Sequence, residues 1–225
     1  MSVLLARNGI EVVLVERERT FDRVFRGEAL MPSGLDALRQ MGIGRDLDRL
    51  PSVDVPCMEL FVDGVRVVRA DWPEVSGANA ARAVSQPALL SLLTECAAAA
   101  GPFELRSGTT LHAVRMAPTH VEVVLRRGAS AVTLRADAIV GADGRGSTTR
   151  AAAGLKLQRL NWFPDDVAWL SVTAPETQRI DPRFQAFTSP RGSLILYPSC
   201  DCRIRGGLPI PRGERDRGTL ALLQR

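Results

Sequence analysis

Residues 139–150 read Ile-Val-Gly-Ala-Asp-Gly-Arg-Gly-Ser-Thr-Thr-Arg, an apolar run that ends at one carboxylate among three glycines and is followed by a hydroxyl cluster. The run predicts a buried strand, which places Asp143 at the carboxyl edge of a parallel sheet, where doubly wound folds bind ligands. Glycine there lets a ligand approach the backbone closely. Ser147 to Thr149 can cap a short helix that carries Arg150 and whose N-terminal amides favour an anion. The alternative interpretation is a solvent-exposed Asx turn.

The beginning of the sequence has the pattern of a helix followed by a buried strand. Residues 2–8 contain an apolar triple and precede Gly9, which predicts the last turns of a helix that ends on a left-handed glycine. Residues 10–16, Ile-Glu-Val-Val-Leu-Val-Glu, predict a strand buried on both faces of a parallel sheet. Helix, glycine, buried strand and the terminal Glu16 are together typical of the second half of a βαβ unit.

A second helix has clear start and stop signals. Pro32 precedes the apolar spacing of residues 33–41, which predicts a short helix. Ser33 and Asp36 stand at the spacing of a capping box, and Gly42 can end the helix.

β structure is predicted on both sides of a third helix. Asp63-Gly64 between two apolar runs predicts a hairpin. Residues 87–100 predict an apolar helix that is buried on most of its faces. Further strands are predicted over residues 103–107, 110–116, 120–126, 131–135, 136–141, 166–172, 183–187, 193–198 and 203–210. The last of these form a second sheet in the C-terminal third, and residues 213–225 predict a helix.

The composition is that of a folded, soluble chain. Of 225 residues, 45% are hydrophobic and 24% are charged, and the chain has no apolar window of about 18 residues. A cytoplasmic protein is therefore expected. The net charge of +4 comes mostly from arginines scattered among acids, with 5% aromatic residues, so no nucleic-acid surface is predicted. The four cysteines and two histidines lack the spacing of a metal site and predict reduced thiols and ordinary packing or surface histidines.

Four stretches in order resemble the group A flavoprotein monooxygenases, the aromatic hydroxylases built like para-hydroxybenzoate hydroxylase. The stretch at 139–150 is similar to the family's apolar-VGADG-x-x-S-x-x-R motif. The other three are LLARNGIEVVLVER, FRGEALMPSGLDALRQMGI and VSQPALLSLLTECA. The later strands resemble the family's substrate domain. The resemblance implies an α/β FAD-binding Rossmann-like domain over residues 1–52 and 80–155, and a mostly antiparallel substrate-domain sheet over residues 53–79 and 156–225.

The resemblance also implies roles for single residues. It places Glu16 at the acid that binds the adenosine ribose, Arg26 at the flavin-contacting arginine, and Gln86 along the ribityl chain of the flavin. Asp143 and Gly144 then help to hold FAD near the path of NAD(P)H, and Arg150 supports their turn. No side chain is expected to act as a nucleophile. The implied function is an FAD-dependent monooxygenase that uses NAD(P)H and O2 on a small apolar or aromatic substrate.

Two elements of the family pattern are absent from the sequence. The Gly-x-Gly-x-x-Gly fingerprint, which holds the pyrophosphate on a helix N-terminus, does not occur, and neither does a Gly-Asp dipeptide. We therefore expect an incomplete FAD-binding domain, and the chain is interpreted as a fragment of such an enzyme or as a non-catalytic remnant or interaction protein of the same fold. A flavin-dependent halogenase or reductase is the third alternative, although the halogenase pattern W-x-W-x-I-P is absent.

Overall fold

The computed structural model describes residues 1–22, 28–72, 74, 80–158, 160, 165–173 and 181–212. The predicted helix over residues 213–225 lies outside them. The helices that shape the fold are α1 Ser2–Arg7, α2 Pro32–Gln40, α3 Gly44–Leu47, α4 Gln86–Ala100 and α5 Thr148–Ala152. The strands of the described residues are β1 Val12–Val15, β2 Ala29–Leu30, β3 Ser52–Val55, β4 Cys57–Val62, β5 Val65–Asp71, β6 Ala81–Val84, β7 Phe103–Arg106, β8 Thr110–Met116, β9 Val121–Arg127, β10 Ser130–Ala136, β11 Asp165–Thr173, β12 Arg183–Ser189, β13 Gly192–Pro198 and β14 Arg203–Pro211.

The chain divides into two compact units. One comprises Met1–Arg23 and Leu93–Leu160, and the other comprises Val24–Leu92 and Asn161–Arg225. The predicted division at residues 52/53, 79/80 and 155/156 separates cofactor binding from substrate binding, which compactness does not test, so it stays a prediction. Among the described residues, no helix is both long and apolar enough to span a membrane.

The first unit begins as predicted, with a helix, a glycine and a parallel strand. α1 ends at Arg7, and Gly9 closes the helix: its φ is +72° and its backbone N–H donates a hydrogen bond to the Ala6 carbonyl. β1 then pairs in parallel with β7, with Val12 opposite Phe103. The prediction of burial on both faces is wrong, because Val13 is 37% exposed. Only one face of the strand is therefore well covered within the described chain.

Most of the remaining first unit is an antiparallel sheet in the order β10-β9-β8, whose strands lie at the predicted ranges 110–116, 120–126 and 131–135. Its core is formed by side chains of β9, namely Val121, Val123 and Leu125, against which Ile139 packs. The strand predicted over residues 136–141 does not form. Ala136 is the last residue of β10, and residues 137–141 are not in a strand. Strand structure requires hydrogen bonding to a neighbouring strand. The segment around Ile139 has no such partner among the described strands, so it does not form one.

The second unit contains the predicted C-terminal sheet, enlarged by the hairpin. Its six strands run in the order β11-β14-β13-β12-β4-β5, antiparallel except for β12 and β4, which pair in parallel. Asp63 and Gly64 both have positive φ, +48° and +81°, as the two-residue turn between β4 and β5 requires. The hairpin prediction is confirmed. Parallel pairing of β12 with β4 unites segments more than 100 residues apart.

A three-stranded sheet in the order β2-β6-β3 completes the second unit. Its core residues Val55, Ala81 and Ala83 pack against Phe184 of β12. The predicted helix at residues 33–41 forms as α2, but the capping box does not: the N-cap is Met31 and no side chain caps the helix. Proline favours the first helical position, so the helix starts at Pro32 and Ser33 lies inside it. Asp36 instead pairs with Arg39 at 3.2 Å.

Helix α4 has the predicted extent and contributes residues to both compact units. Its predicted burial on most faces is wrong, because Ala97 is its only buried residue and most of the others are partly exposed. Its apolar composition therefore exceeds what the described residues cover.

Candidate functional site

The turn at residues 141–150 is organised around the carboxylate of Asp143. The hydroxyl of Ser147 donates to its Oδ1 at 2.5 Å. The backbone amide and hydroxyl of Thr149 both donate to its Oδ2, at 3.0 and 3.2 Å. Ser147 in turn caps α5, because its Oγ accepts the Arg150 amide at 2.9 Å. The predicted cap is confirmed, and the anion at this helix N-terminus is the carboxylate of Asp143 itself.

Two glycines permit this turn for different reasons. A Cβ at residue 141 would lie 2.9 Å from both Cβ and Cγ2 of Thr149, so only glycine lets the chain pass this close to α5. Gly144 has a φ of +79°, a conformation that other residues rarely adopt, and the space beside it is open. The backbone at Gly144 is therefore accessible to a ligand.

The electrostatics of the turn favour an ionised Asp143. Partial burial raises its pKa, but the hydrogen bonds from Ser147 and Thr149 outweigh that effect and lower the pKa to about 2. The residue as a whole is still exposed. The guanidinium of Arg150 donates to the Arg145 carbonyl at 3.2 Å and so closes the far side of the turn. Asp143, Gly144 and Arg150 are thus brought together by the structure.

Glu16 follows the last residue of β1, at the carboxyl end of the parallel β1–β7 pair. Its backbone amide donates to the Arg106 carbonyl at 3.1 Å and extends the pairing by one residue. Its Oε1 accepts the Glu18 amide at 2.8 Å, which orients the carboxylate. Dinucleotide-binding folds contact a ribose through an acid at the carboxyl end of a parallel strand, and Glu16 lies at that position.

The other two predicted cofactor contacts lie elsewhere in the chain. Gln86 is the first residue of α4, directly after Ser85, whose hydroxyl accepts the Ala88 amide at 3.4 Å. It belongs to the second compact unit, whereas Glu16 and Asp143 belong to the first. Arg26 lies outside the described residues.

The second unit contains a buried ion pair that the sequence pattern does not reveal. Arg205 of β14 bonds both carboxylate oxygens of Glu28, at 3.0 and 3.3 Å, and the two side chains are only 9% and 10% exposed. Ser199 donates to Glu28 at 2.5 Å, Asp201 accepts from Arg205 at 2.8 Å, and Ser171 also bonds Arg205. Every charged group of this cluster is therefore compensated.

Tyr197 is the buried neighbour of this ion pair on β13, with 5% exposure. Burial raises the pKa of its phenol to about 12, with the Glu28 charge adding to the effect and Arg205 opposing it. The phenol is consequently neutral at physiological pH and retains its proton as a hydrogen-bond donor.

A second charged cluster lies on the same sheet around Glu59, which is fully buried in β4. Arg66 and Arg183 contact its carboxylate at 2.8 and 2.9 Å, Arg69 lies at 3.7 Å, and Gln185 donates at 3.3 Å. Burial opposes ionisation, but these donors lower the pKa of Glu59 overall. The cluster joins β4 to its parallel neighbour β12 and is a structural element of the sheet.

Solved structures of flavoprotein oxygenases share this fold. p-Nitrophenol 4-monooxygenase PnpA from Pseudomonas putida DLL-E4 matches all of the chain and 57% of its own length, with a TM-score of 0.84 and 18% identity. Aklavinone-11 hydroxylase, solved with FAD and aklavinone, matches 99% of the chain and 46% of its own length, with a TM-score of 0.80 and 21% identity. These matches confirm the predicted FAD-binding fold with a mostly antiparallel second sheet.

A curated relative matches the sequence from end to end. The chain is 32% identical over 227 residues to 6-methylpretetramide 4-monooxygenase of Streptomyces rimosus. The match covers 100% of the chain and 52% of the relative, so the chain spans about half the length of this enzyme. The family described as FAD binding domain matches residues 1–188. Because that match covers most of the chain, the chain belongs to this family of FAD-binding domains, and FAD is its cofactor.

Proposed function

We propose that the chain forms the FAD-binding and substrate-facing part of an NAD(P)H-dependent aromatic hydroxylase. The observation that carries the proposal is the 32% identity along the whole chain to 6-methylpretetramide 4-monooxygenase. FAD, reduced by NAD(P)H, supplies the activation of O2 in such an enzyme. The side chains of this chain bind and orient the reactants and exclude water. Because NAD(P)H is a cytoplasmic reductant, the proposed location is the cytoplasm.

The proposed cofactor contacts are Glu16, Arg26, Gln86, Asp143 and the Gly144 backbone. Glu16 accepts the hydroxyls of the adenosine ribose, for which its place at the end of a parallel strand is suited. Arg26 and Gln86 contact the flavin and its ribityl chain, by analogy with the family motifs that they match. The open backbone at Gly144 allows the cofactor to approach the turn.

Asp143 has two functions in this proposal. Its three hydrogen bonds from Ser147 and Thr149 fix the turn, and Arg150 closes it. A carboxylate offers about four acceptor sites, so one remains for a polar group of the cofactor. An acid with a pKa of about 2 is ionised throughout the physiological range and accepts that bond at any working pH.

The proposed substrate is a fused aromatic compound bearing hydroxyl groups. The curated relative is named for 6-methylpretetramide, and a structural neighbour was solved with aklavinone; both compounds are polycyclic. The mostly apolar strands β11–β14 provide the surface that such a compound requires.

The test is a turnover assay with purified protein, FAD, NADPH and 6-methylpretetramide, followed by mass spectrometry. The proposal predicts a product heavier by one oxygen atom, formed only when FAD and NADPH are both present. A chain that binds FAD and yet yields no oxygenated product from this compound or from aklavinone contradicts the proposed activity. A folded chain that binds no FAD supports the interpretation as a non-catalytic remnant or interaction protein.

A further inference from the structure

Trp169, in the middle of strand β11, is half exposed, with 51% of its surface accessible. Large aromatic side chains are usually well buried, so an indole left this accessible on a packed sheet calls for a functional explanation. Trp169 stands directly opposite Gly207 in the antiparallel ladder of β11 and β14.

The glycines of β14 make room for the indole. A Cβ at residue 207 would lie 3.2 Å from Cζ3 of Trp169 and 3.3 Å from Cγ1 of Val167. The six-membered ring therefore lies across the backbone at Gly207. Glycine inside a strand costs about 0.5–1 kcal/mol relative to alanine, and β14 contains two in succession. One consequence is a flat aromatic surface supported by the strand.

The surroundings of Trp169 change from apolar to polar along the strand. Val167, two residues before it on the same face, is 47% exposed. Ser171, two residues after it, bonds Arg205, the residue opposite it on β14. Tyr197 stands opposite Arg205 on β13. The polar groups at that end are bonded to one another in the buried ion-pair cluster, so the surface that remains for a ligand is the apolar one of Val167 and Trp169, which suits a planar ring system.

We propose that Trp169 stacks on the fused rings of the substrate and so favours polycyclic over single-ring aromatic compounds. The proposal rests on the proposed function, because it specifies the substrate class of the same enzyme. Stacking strength increases with the ring area in contact. A four-ring compound therefore gains more from the indole than a single ring does. The alternative is that Trp169 has a purely structural role and only covers Gly207, since an aromatic residue opposite a strand glycine stabilises the sheet.

The test compares ligand affinity in Trp169→Phe, Trp169→Ala and a matched control. The probes are 6-methylpretetramide and p-nitrophenol, with binding followed by equilibrium dialysis and by tryptophan fluorescence. Val172→Ala is the control, because Val172 is 50% exposed on the same strand but faces the opposite side of the sheet. Thermal melts of every variant show whether it is folded, and Trp169→Phe keeps an aromatic ring over Gly207.

We expect Trp169→Ala to bind 6-methylpretetramide about tenfold more weakly and Trp169→Phe about threefold more weakly, a range typical of lost aromatic stacking. The affinity for p-nitrophenol changes less than that, and Val172→Ala changes neither affinity. A fall in melting temperature with unchanged affinity for 6-methylpretetramide overturns the proposal in favour of the structural alternative. Equal losses for both probes, or wild-type protein that binds neither, also overturn it.

The FAD affinity of the same variants separates this inference from the proposed function. FAD binding that persists in Trp169→Ala while the affinity for 6-methylpretetramide falls supports both. Wild-type protein without FAD binding contradicts the proposed function. If Trp169→Ala keeps both its FAD affinity and its affinity for 6-methylpretetramide, only the stacking role is contradicted.

Discussion

Replacing Asp143 by Asn removes the charge from the turn while keeping its size. The wild-type carboxylate accepts one bond from Ser147 and two from Thr149. In Asn one of the two oxygens becomes an NH2 group, which donates only. If the NH2 faces Thr149, the backbone amide of Thr149 loses its acceptor. If the NH2 faces Ser147, the Ser147 hydroxyl must turn to accept a hydrogen bond from it. Either arrangement weakens the cap of α5.

The magnitude follows from the pKa of Asp143, which is lowered from 3.8 to about 2. At 1.36 kcal/mol per pKa unit this shift corresponds to roughly 2.4 kcal/mol, and screening by solvent at this exposed residue reduces it to about 1–2 kcal/mol. For a chain of this size, about 1–2 kcal/mol lowers the melting temperature by roughly 2–8 °C.

The pH dependence has a defined sign. Because the pKa of Asp143 is depressed in the folded state, its contribution is fully present above the unfolded pKa of about 4 and is lost as the pH falls through about 2. About half of it is gone by pH 3. The difference in melting temperature between wild type and Asp143→Asn should therefore shrink between pH 5 and pH 3.

The assay is thermal unfolding at pH 7, 5 and 3, followed by circular dichroism. Asp137→Asn is the matched control, because Asp137 is a nearby exposed acid for which no hydrogen bond or ion pair occurs among the described residues. It should leave the melting temperature unchanged. Equal melting temperatures for wild type and Asp143→Asn at pH 7, or a difference that does not shrink at pH 3, would refute the reasoning.

Four further substitutions test the packing and charge arguments by urea unfolding. Gly141→Ala places a methyl group 2.9 Å from Thr149 and should cost about 1–3 kcal/mol, and wild-type stability in this variant would show that the chain relaxes freely there. Glu59→Gln removes the buried counter-charge of three partly exposed arginines and should cost about 1–3 kcal/mol; a stability equal to that of wild type contradicts this role of Glu59. Arg205→Met leaves Glu28 buried without its counter-charge and should cost about 3–5 kcal/mol. Adding Glu28→Met should recover part of that loss, and a double variant as unstable as Arg205→Met would contradict the argument.

Local signals in the sequence predicted the local structure well. The Asp63-Gly64 turn follows from the positive φ that its two residues tolerate, and the Ser147 cap follows from a hydroxyl placed before a short helix. The capping box at Ser33 failed for an equally local reason, because Pro32 takes the first helical position. Two signals competed there, and the fixed φ of proline prevailed.

Contacts between residues far apart in the sequence could not be predicted from local sequence patterns. The segment around Ile139 has the composition of a strand, but strand structure depends on a neighbour that periodicity does not specify. Arg205 and Glu28 are 177 residues apart, and Arg183 and Glu59 are 124 apart, so no spacing rule links them. The candidate cofactor residues were predicted from ordered motifs. The partners that fix Asp143 became visible only in the structure.

The most direct test of the central claim is a titration of FAD and FMN against wild-type protein and Glu16→Gln, followed by flavin fluorescence. FMN lacks the adenosine that Glu16 is proposed to bind, so it serves as the internal control. We predict saturable FAD binding at tens of micromolar or below, weakened about tenfold by Glu16→Gln through loss of the charged hydrogen bonds, with FMN affinity unchanged. A folded wild-type chain that leaves FAD fluorescence unchanged, or a substitution that weakens FAD and FMN equally, would contradict the account.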